Sequence, residues 1–273
     1  MIPYPHIDPV IFRIGPLAVR WYGMMYVIGF VSSYLLVLWQ INRKRLYITR
    51  SQVDDLYFYL VLGLLIGGRL GYVLFYNLPY YIDHPLEVLV LWHGGMSFHG
   101  GAIGTFVAGY VLTKKKGINF FLMGDIIAPT VPIGLFFGRL ANFINGELFG
   151  RPSNVPWAMI FPEGGPTPRH PSQLYEAVLE GALLFAVLWF YKDRKRRDGD
   201  VLAVFLVCYG GLRFLGEFFR EPDVQVGYLF GLATMGQLLS LLMAAMGLFL
   251  KFVYLPKRTP PPVQPANKQK RLA

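Results

Sequence analysis

The chain has 273 residues, 54% of them hydrophobic and 15% charged, with a mean hydropathy of +0.42 and a formal net charge of +10. The bases fall in short clusters between apolar runs of roughly twenty residues, which excludes nucleic acid as the reason for the charge and indicates a polytopic helical membrane protein. The single cysteine, Cys208, rules out an internal disulfide and any multi-cysteine metal site; it sits in an apolar run and reads as a buried structural thiol.

The first sixteen residues, MIPYPHIDPVIFRIGP, lack a basic leader followed by a short apolar core and do not read as a cleavable signal peptide. Apolar runs then predict seven spans, at 17–41, 53–76, 94–113, 120–143, 173–191, 201–219 and 229–254. Span 1 carries Arg20 and Tyr22 at one end, and Arg43, Lys44, Arg45 and Arg50 follow it. Span 2 holds Arg69, and its Gly63, Gly67 and Gly71 form a small-residue face that lets a neighbouring helix approach closely. The connection from Asn77 to His93 has no Lys or Arg. Span 3 opens with HGGMSFHGG, bringing His93, Ser97 and His99, and ends at Lys114, Lys115 and Lys116. Span 4 delivers Arg139 and Asn142 just before it ends, and a Pro- and Gly-rich connection, 144–172, reads as a small ordered cap. Span 5 begins in RHPSQLYEA and is followed by Lys192, Arg194, Lys195, Arg196 and Arg197. Span 6 ends in YGGLRFLGEFFRE, with Tyr209, Arg213, Glu217 and Arg220 at offsets of four, four and three, and span 7 leads to a basic tail.

These connections alternate in charge. One side holds 18 of the 26 Lys and Arg residues, and the positive-inside rule makes it cytoplasmic. The expected architecture is therefore an all-α polytopic membrane protein of seven transmembrane helices, with the N-terminus outside, the C-terminus cytoplasmic and a small extracytoplasmic cap. Residues 1–255 form one membrane domain, and 256–273 a disordered cytosolic tail.

Almost every ionisable group inside a span lies in the outer half. Each costs about 2.5–3.5 kcal/mol on insertion scales, so it requires a partner or a wet cavity. Arg139, Asn142 and Gly146 share one helical face, as do Tyr209, Arg213, Glu217 and Arg220. Structural ion pairs, Arg213 with Glu217 and Arg139 with Glu147, account for any one of these residues; convergence of five spans at one depth favours a functional cavity. Two arginines on facing helices suit a phosphate, and near the outer surface that phosphate is a phospholipid head group. There is no paired-aspartate motif, no HExxH and no ligand cluster at metal spacing, so neither metal nor cofactor is expected. Ser97 lies two residues from His99 without a GxSxG elbow, and a serine opening a span reads more readily as a helix cap. A transporter predicts polar residues in both halves and an inverted repeat, whereas here the inner halves are apolar and no repeat is visible.

Taken in order, HGGMSFHGGAIG, GRLANFINGELFGRP, RHPSQLYEA and YGGLRFLGEFFREPD resemble the prolipoprotein diacylglyceryl transferase family, from about Tyr22 to Asp223, with GRxxNFxNGExxG the most specific stretch. The resemblance implies a transferase of the bacterial inner membrane with two substrates, phosphatidylglycerol and a preprolipoprotein signal peptide bearing a lipobox cysteine, whose sulfur receives the diacylglyceryl group. It implies no nucleic-acid partner. His99, Arg139 and Arg213 are the catalytic candidates. Arg139, Asn142, Tyr22, Tyr209 and Arg213 are candidates for binding phosphatidylglycerol. Glu147 and Glu217 are expected to orient the arginines, with Asn145, Gly150 and Arg220 in support. Arg20, Arg69 and His170 read equally as cavity or loop anchors and as purely structural residues, and Arg151 with the 152–169 loop reads either as a contact for the signal peptide or as a cap on the domain. Whether His99 takes the thiol proton or the arginines stabilise the thiolate directly stays open.

Overall fold

A computed structural model describes residues 2–15, 17–90, 94–222, 228–229 and 233–258. The tail from 259 onward, His93 and most of the EPDVQVG turn lie outside the described residues.

The chain begins with a hairpin that the sequence reading assigned partly to span 1. Strands β1 (Val10–Ile14) and β2 (Leu17–Arg20) pair antiparallel, with Val10 opposite Arg20 and Ile14 opposite Leu17. Branched and aromatic residues around Gly15, whose φ is +58°, favour a strand turning back on itself over a first helical turn. Helix α1 (Trp21–Arg43) therefore starts four residues later than expected. Arg20 is exposed on β2.

Helix α2 (Arg50–Tyr76) starts at a capping box in which Thr49 and Gln52 satisfy each other's backbone N–H groups. A short α3 (Leu78–Asp83) and a 3-10 turn at Pro85–Leu89 precede α4 (Phe98–Lys115). Next come α5 (Phe120–Ile127) and α6 (Val131–Asn145), joined by a 3-10 turn at Ala128–Thr130 where Pro129 and Pro132 remove backbone donors. Helices α7 (Ser172–Glu176) and α8 (Leu184–Tyr191) flank a π-helical stretch, Ala177–Leu183, and α9 (Asp200–Gly216) follows. A second small hairpin pairs β3 (Tyr228–Leu229) with β4 (Ala233–Thr234). The capping box of Thr234 and Gln237 then opens α10 (Met235–Phe249), which continues through a π-helical turn at Leu250–Tyr254 into α11 (Leu255–Arg258).

Among the described residues five helical stretches are long and apolar enough to cross a membrane: Trp21–Arg43, Arg50–Tyr76, Phe120–Asn145, Ser172–Tyr191 and Met235–Lys257. The two other expected spans fall on α4 and α9, helices of 18 and 17 residues. Large apolar side chains such as Val27, Leu35, Phe58, Ile66, Phe106, Leu242 and Phe252 are exposed along the helices. In water so many would be a liability; against lipid tails they are at home, and the protein is mostly helical and integral to a membrane.

The chain divides into two compact units. In the unit comprising residues 38–123, α2 packs on α4 through glycines. A Cβ on Gly67 would come within 2.3 Å of the Gly100 carbonyl oxygen, and one on Gly104 within 2.1 Å of the Gly63 oxygen. The small-residue face expected on span 2 therefore meets a second one. Arg69 is buried here and proves to be a loop anchor: it donates to the carbonyls of Val88 (2.9 Å), Gly94 (2.6 Å), Gly95 (3.2 Å), Glu87 (2.6 Å) and Val90 (2.9 Å), over the ring of Tyr81.

The unit comprising 1–37 and 124–273 is centred on Ala128, Leu184, Leu188, Val201 and Tyr209. Half-buried Cys208 packs on that core without a disulfide. A smaller apolar cluster of Tyr4, Met159 and Phe161, with Phe143 and Phe149 against it, stabilises the segment after α6.

Candidate active site

The site is built where α6 ends. Gly146, at φ +70°, caps that helix in the left-handed conformation, which glycine adopts without steric cost. Leu148 is also left-handed, at φ +56°, a conformation costing a branched residue about 1–2 kcal/mol. The loop is held from α7: Gln173 donates to the Glu147 carbonyl at 2.7 Å and Ser172 to that of Leu148 at 3.1 Å. From the other side Tyr4 donates to the carbonyls of Phe143 (2.6 Å) and Ile144 (3.0 Å).

Two carboxylates then join two arginines. Glu176 ends α7, and Glu180 lies one turn on, in the π-helical stretch; both are at most 1% exposed. Glu176 reaches Arg139 Nε of α6 at 2.8 Å with one oxygen and Arg213 Nη1 of α9 at 2.8 Å with the other. Glu180 makes the same bridge more loosely, at 3.5 Å to Arg139 Nη2 and 3.3 Å to Arg213 Nη1. Glu217 takes the far side of Arg213 at 2.8 Å and itself accepts from Thr234 at 3.0 Å, packed against Gly236. Arg220 adds a longer contact to Glu176 at 3.9 Å, and buried Tyr209 lies within electrostatic reach of all four central charges.

The expected pairing of Arg213 with Glu217 is present. Arg139, however, pairs with Glu176 and Glu180, not with Glu147. Glu147 accepts from Asn142 at 2.8 Å and Asn145 at 3.4 Å, because the left-handed turn at Gly146 folds it back onto the helix end. The expected contact of Glu147 with an arginine is therefore replaced by contacts with two asparagines. The Tyr22 hydroxyl lies 3.4 Å from that of Tyr26.

Glu176 and Glu180 escaped the sequence reading, although an acid eight residues into an apolar helix carries the same insertion cost that singled out the arginines. The supporting residues are anchors. A Cβ on Gly150 would sit 2.4 Å from the Phe219 carbonyl oxygen and 2.7 Å from His170, so only glycine lets residues 150 and 220 pair. Arg151 donates to the carbonyls of Arg220 (2.8 Å) and Glu217 (3.3 Å). Arg169, also missed, joins the Gly164 and Gly150 carbonyls to Glu221. His170 stacks edgewise on Tyr175 and Phe219, and burial pushes its imidazole below the usual pKa. Ser97 is the N-cap of α4, accepting from the Gly100 N–H at 3.2 Å, as expected of a capping serine. The His99 side chain lies outside the described residues.

A model of the prolipoprotein diacylglyceryl transferase family matches residues 9–253, taking in the whole ion-pair cluster. The chain belongs to the prolipoprotein diacylglyceryl transferase family. It is 54% identical over 245 residues to the phosphatidylglycerol–prolipoprotein diacylglyceryl transferase of Geobacter sulfurreducens, covering 90% of this chain and 94% of that relative. The corresponding enzyme of Bordetella avium is 54% identical over 261 residues, 95% of this chain and 98% of its own length. That of Coxiella burnetii is 52% identical over 250, with coverage of 91% and 96%. Within this diacylglyceryl transferase family member, GRLANFINGELFG is the end of α6 and its left-handed turn, RHPSQLYEA holds that turn and supplies Glu176, and YGGLRFLGEFFRE supplies Arg213 and Glu217.

Proposed function

We propose that the protein transfers the diacylglyceryl group of phosphatidylglycerol to the lipobox cysteine of preprolipoproteins in the bacterial inner membrane. The observation that carries the site assignment is the pair of half-buried arginines, on separate helices, bridged by shared buried carboxylates inside an apolar protein. Each guanidinium has five N–H donors, more than its carboxylate contacts use, so both retain capacity for a phosphate.

In the reaction the cysteine sulfur attacks the glyceryl carbon bonded to phosphate oxygen. A carbon–sulfur bond forms, the carbon–oxygen bond breaks, and glycerol phosphate leaves with the electron pair; the thiol proton passes to a base. Arg139 and Arg213 stabilise the charge growing on the leaving phosphate, while Asn142, Tyr22 and Tyr209 supply hydrogen bonds. A free thiol is only a few per cent ionised at neutral pH, so a base or a cationic field is required, and His99 is the candidate base. Glu217 steadies Arg213, and Asn145, Gly150 and Arg220 secure the loop around the site. An apolar cleft of about 210 Å³, lined by Pro132, Ile133, Phe136, Gly181, Ala182 and Phe185, begins one turn from Arg139 and suits an acyl chain.

We further read seven spans, with α4 and α9 added to the five longest, the N-terminus outside and the clamp in the outer half. The clustering of bases in alternate connections supports that orientation. The purified protein, given phosphatidylglycerol labelled in the diacylglyceryl group and a synthetic lipobox peptide, is expected to place label on the peptide cysteine and release glycerol phosphate. A preparation that binds phosphatidylglycerol but labels no peptide overturns the assignment.

A further inference from the structure

Arg213 is fixed twice, by Glu176 on Nη1 and by Glu217 on Nη2, and Glu217 is itself tied to Thr234. Among the described residues Arg139 has no carboxylate partner that Arg213 does not share. Among the described residues its carboxylate partners are Glu176 and Glu180, and the shorter contact is to Glu176. The position of Arg139 relative to Arg213 therefore depends on these two carboxylates, and most closely on Glu176, each of whose oxygens lies 2.8 Å from a different guanidinium. That carboxylate is buried, and its backbone follows directly on Ser172 and Gln173, which hold the loop after α6. The carboxylate joins α6 to α9 and so fixes a distance between the two guanidinium groups.

We propose that Glu176 is a positioning residue that sets the spacing of Arg139 and Arg213, so that both address the same phosphate. The proposal rests on the transferase reading above. Glu180, with contacts of 3.3 and 3.5 Å, reinforces the bridge from the π-helical turn. Until the lipid arrives, the two carboxylates also serve as internal counter-anions for the arginines.

Two consequences separate this role from a merely structural one. Neutralising Glu176 removes the spacer, so catalysis falls while the arginines stay. It also removes an anion that competes with phosphate, so lipid affinity does not fall with it. The test compares wild type, Glu176→Gln and Glu180→Gln for kcat of transfer, for equilibrium binding of phosphatidylglycerol in mixed micelles, and for thermal unfolding. For Glu176→Gln the expected result is a kcat lowered roughly 10- to 100-fold, the scale of an ångström-level misplacement, with phosphatidylglycerol bound as tightly as by wild type or more tightly. Glu180→Gln is expected to show the same split in smaller degree.

Wild-type kcat in Glu176→Gln overturns the proposal. So does a joint fall in kcat, binding and unfolding temperature, which marks a structural ion pair only. Should Glu176→Gln fail to fold, Glu180→Gln decides on the same readouts, and its unaltered kcat counts against the shared spacing. A wild-type protein that transfers nothing strikes the transferase reading; an active wild type beside an equally active Glu176→Gln strikes the positioning role alone.

Discussion

Arginine is suited to this clamp because its charge persists under burial and its planar fork divides between two carboxylates, as Arg213 does between Glu176 and Glu217. Lysine cannot reproduce that, so Arg139→Lys and Arg213→Lys are each expected to cut transfer by about 10²–10³, the usual cost of losing an oriented donor to a developing anion. Gly150→Ala acts differently: its methyl group meets a backbone oxygen, and a cost of about 1–3 kcal/mol in unfolding free energy is expected from overpacking. Burial of His170 gives it a lower pKa when folded than when unfolded. The unfolded chain then binds the extra proton first, and stability falls as the pH drops below the ordinary histidine value of about 6.5. His170→Gln is expected to remove that part of the pH dependence of the unfolding temperature. At this scale the arginines and Glu217 were legible because a charge in an apolar run is conspicuous. The partner of Arg139 was not legible, since nearness along the chain to Glu147 says little once Gly146 reverses the backbone.

Among elements, the helical runs could be read from hydrophobicity, and the exceptions have local causes. The β1–β2 hairpin was hidden because LAVR is as apolar as the helix it precedes, and only the turn at Gly15 separates them. The π-helical stretch at Ala177–Leu183 leaves no mark in hydropathy, because a wider turn of the same residues is equally apolar. The glycine face of α2 was visible, whereas its match to Gly100 and Gly104 on α4 is a property of packing. Gly67→Leu is expected to unfold the protein several degrees earlier in detergent, because the side chain would have to occupy the space of the Gly100 carbonyl. Asp125, unremarked in the sequence, accepts from the N–H groups of Gly199 (2.8 Å), Val201 (2.9 Å) and Leu202 (3.0 Å) and from Lys195 (2.9 Å). It thereby caps α9 from another helix. Asp125→Ala is expected to cost about 3–5 kcal/mol, the scale for breaking a buried ion pair from one side, read from thermal unfolding.

For the whole molecule, the membrane class was legible because composition is a bulk property, and family membership because whole motifs survive in order. The geometry of the cluster was not, because convergence of α6, α7 and α9 on one point depends on packing angles that no single helix encodes. Transfer as proposed requires that point to bind the phosphate of the donor lipid. The most direct measurement is the initial rate of labelled diacylglyceryl transfer from phosphatidylglycerol to a lipobox peptide, by wild type, Arg139→Ala, Arg213→Ala, His99→Gln and Ser97→Ala at matched folding. Transfer is expected to be abolished by either arginine substitution and preserved in Ser97→Ala, with the rate of His99→Gln deciding whether that histidine is the base. Full transfer by well-folded Arg139→Ala and Arg213→Ala would contradict that requirement.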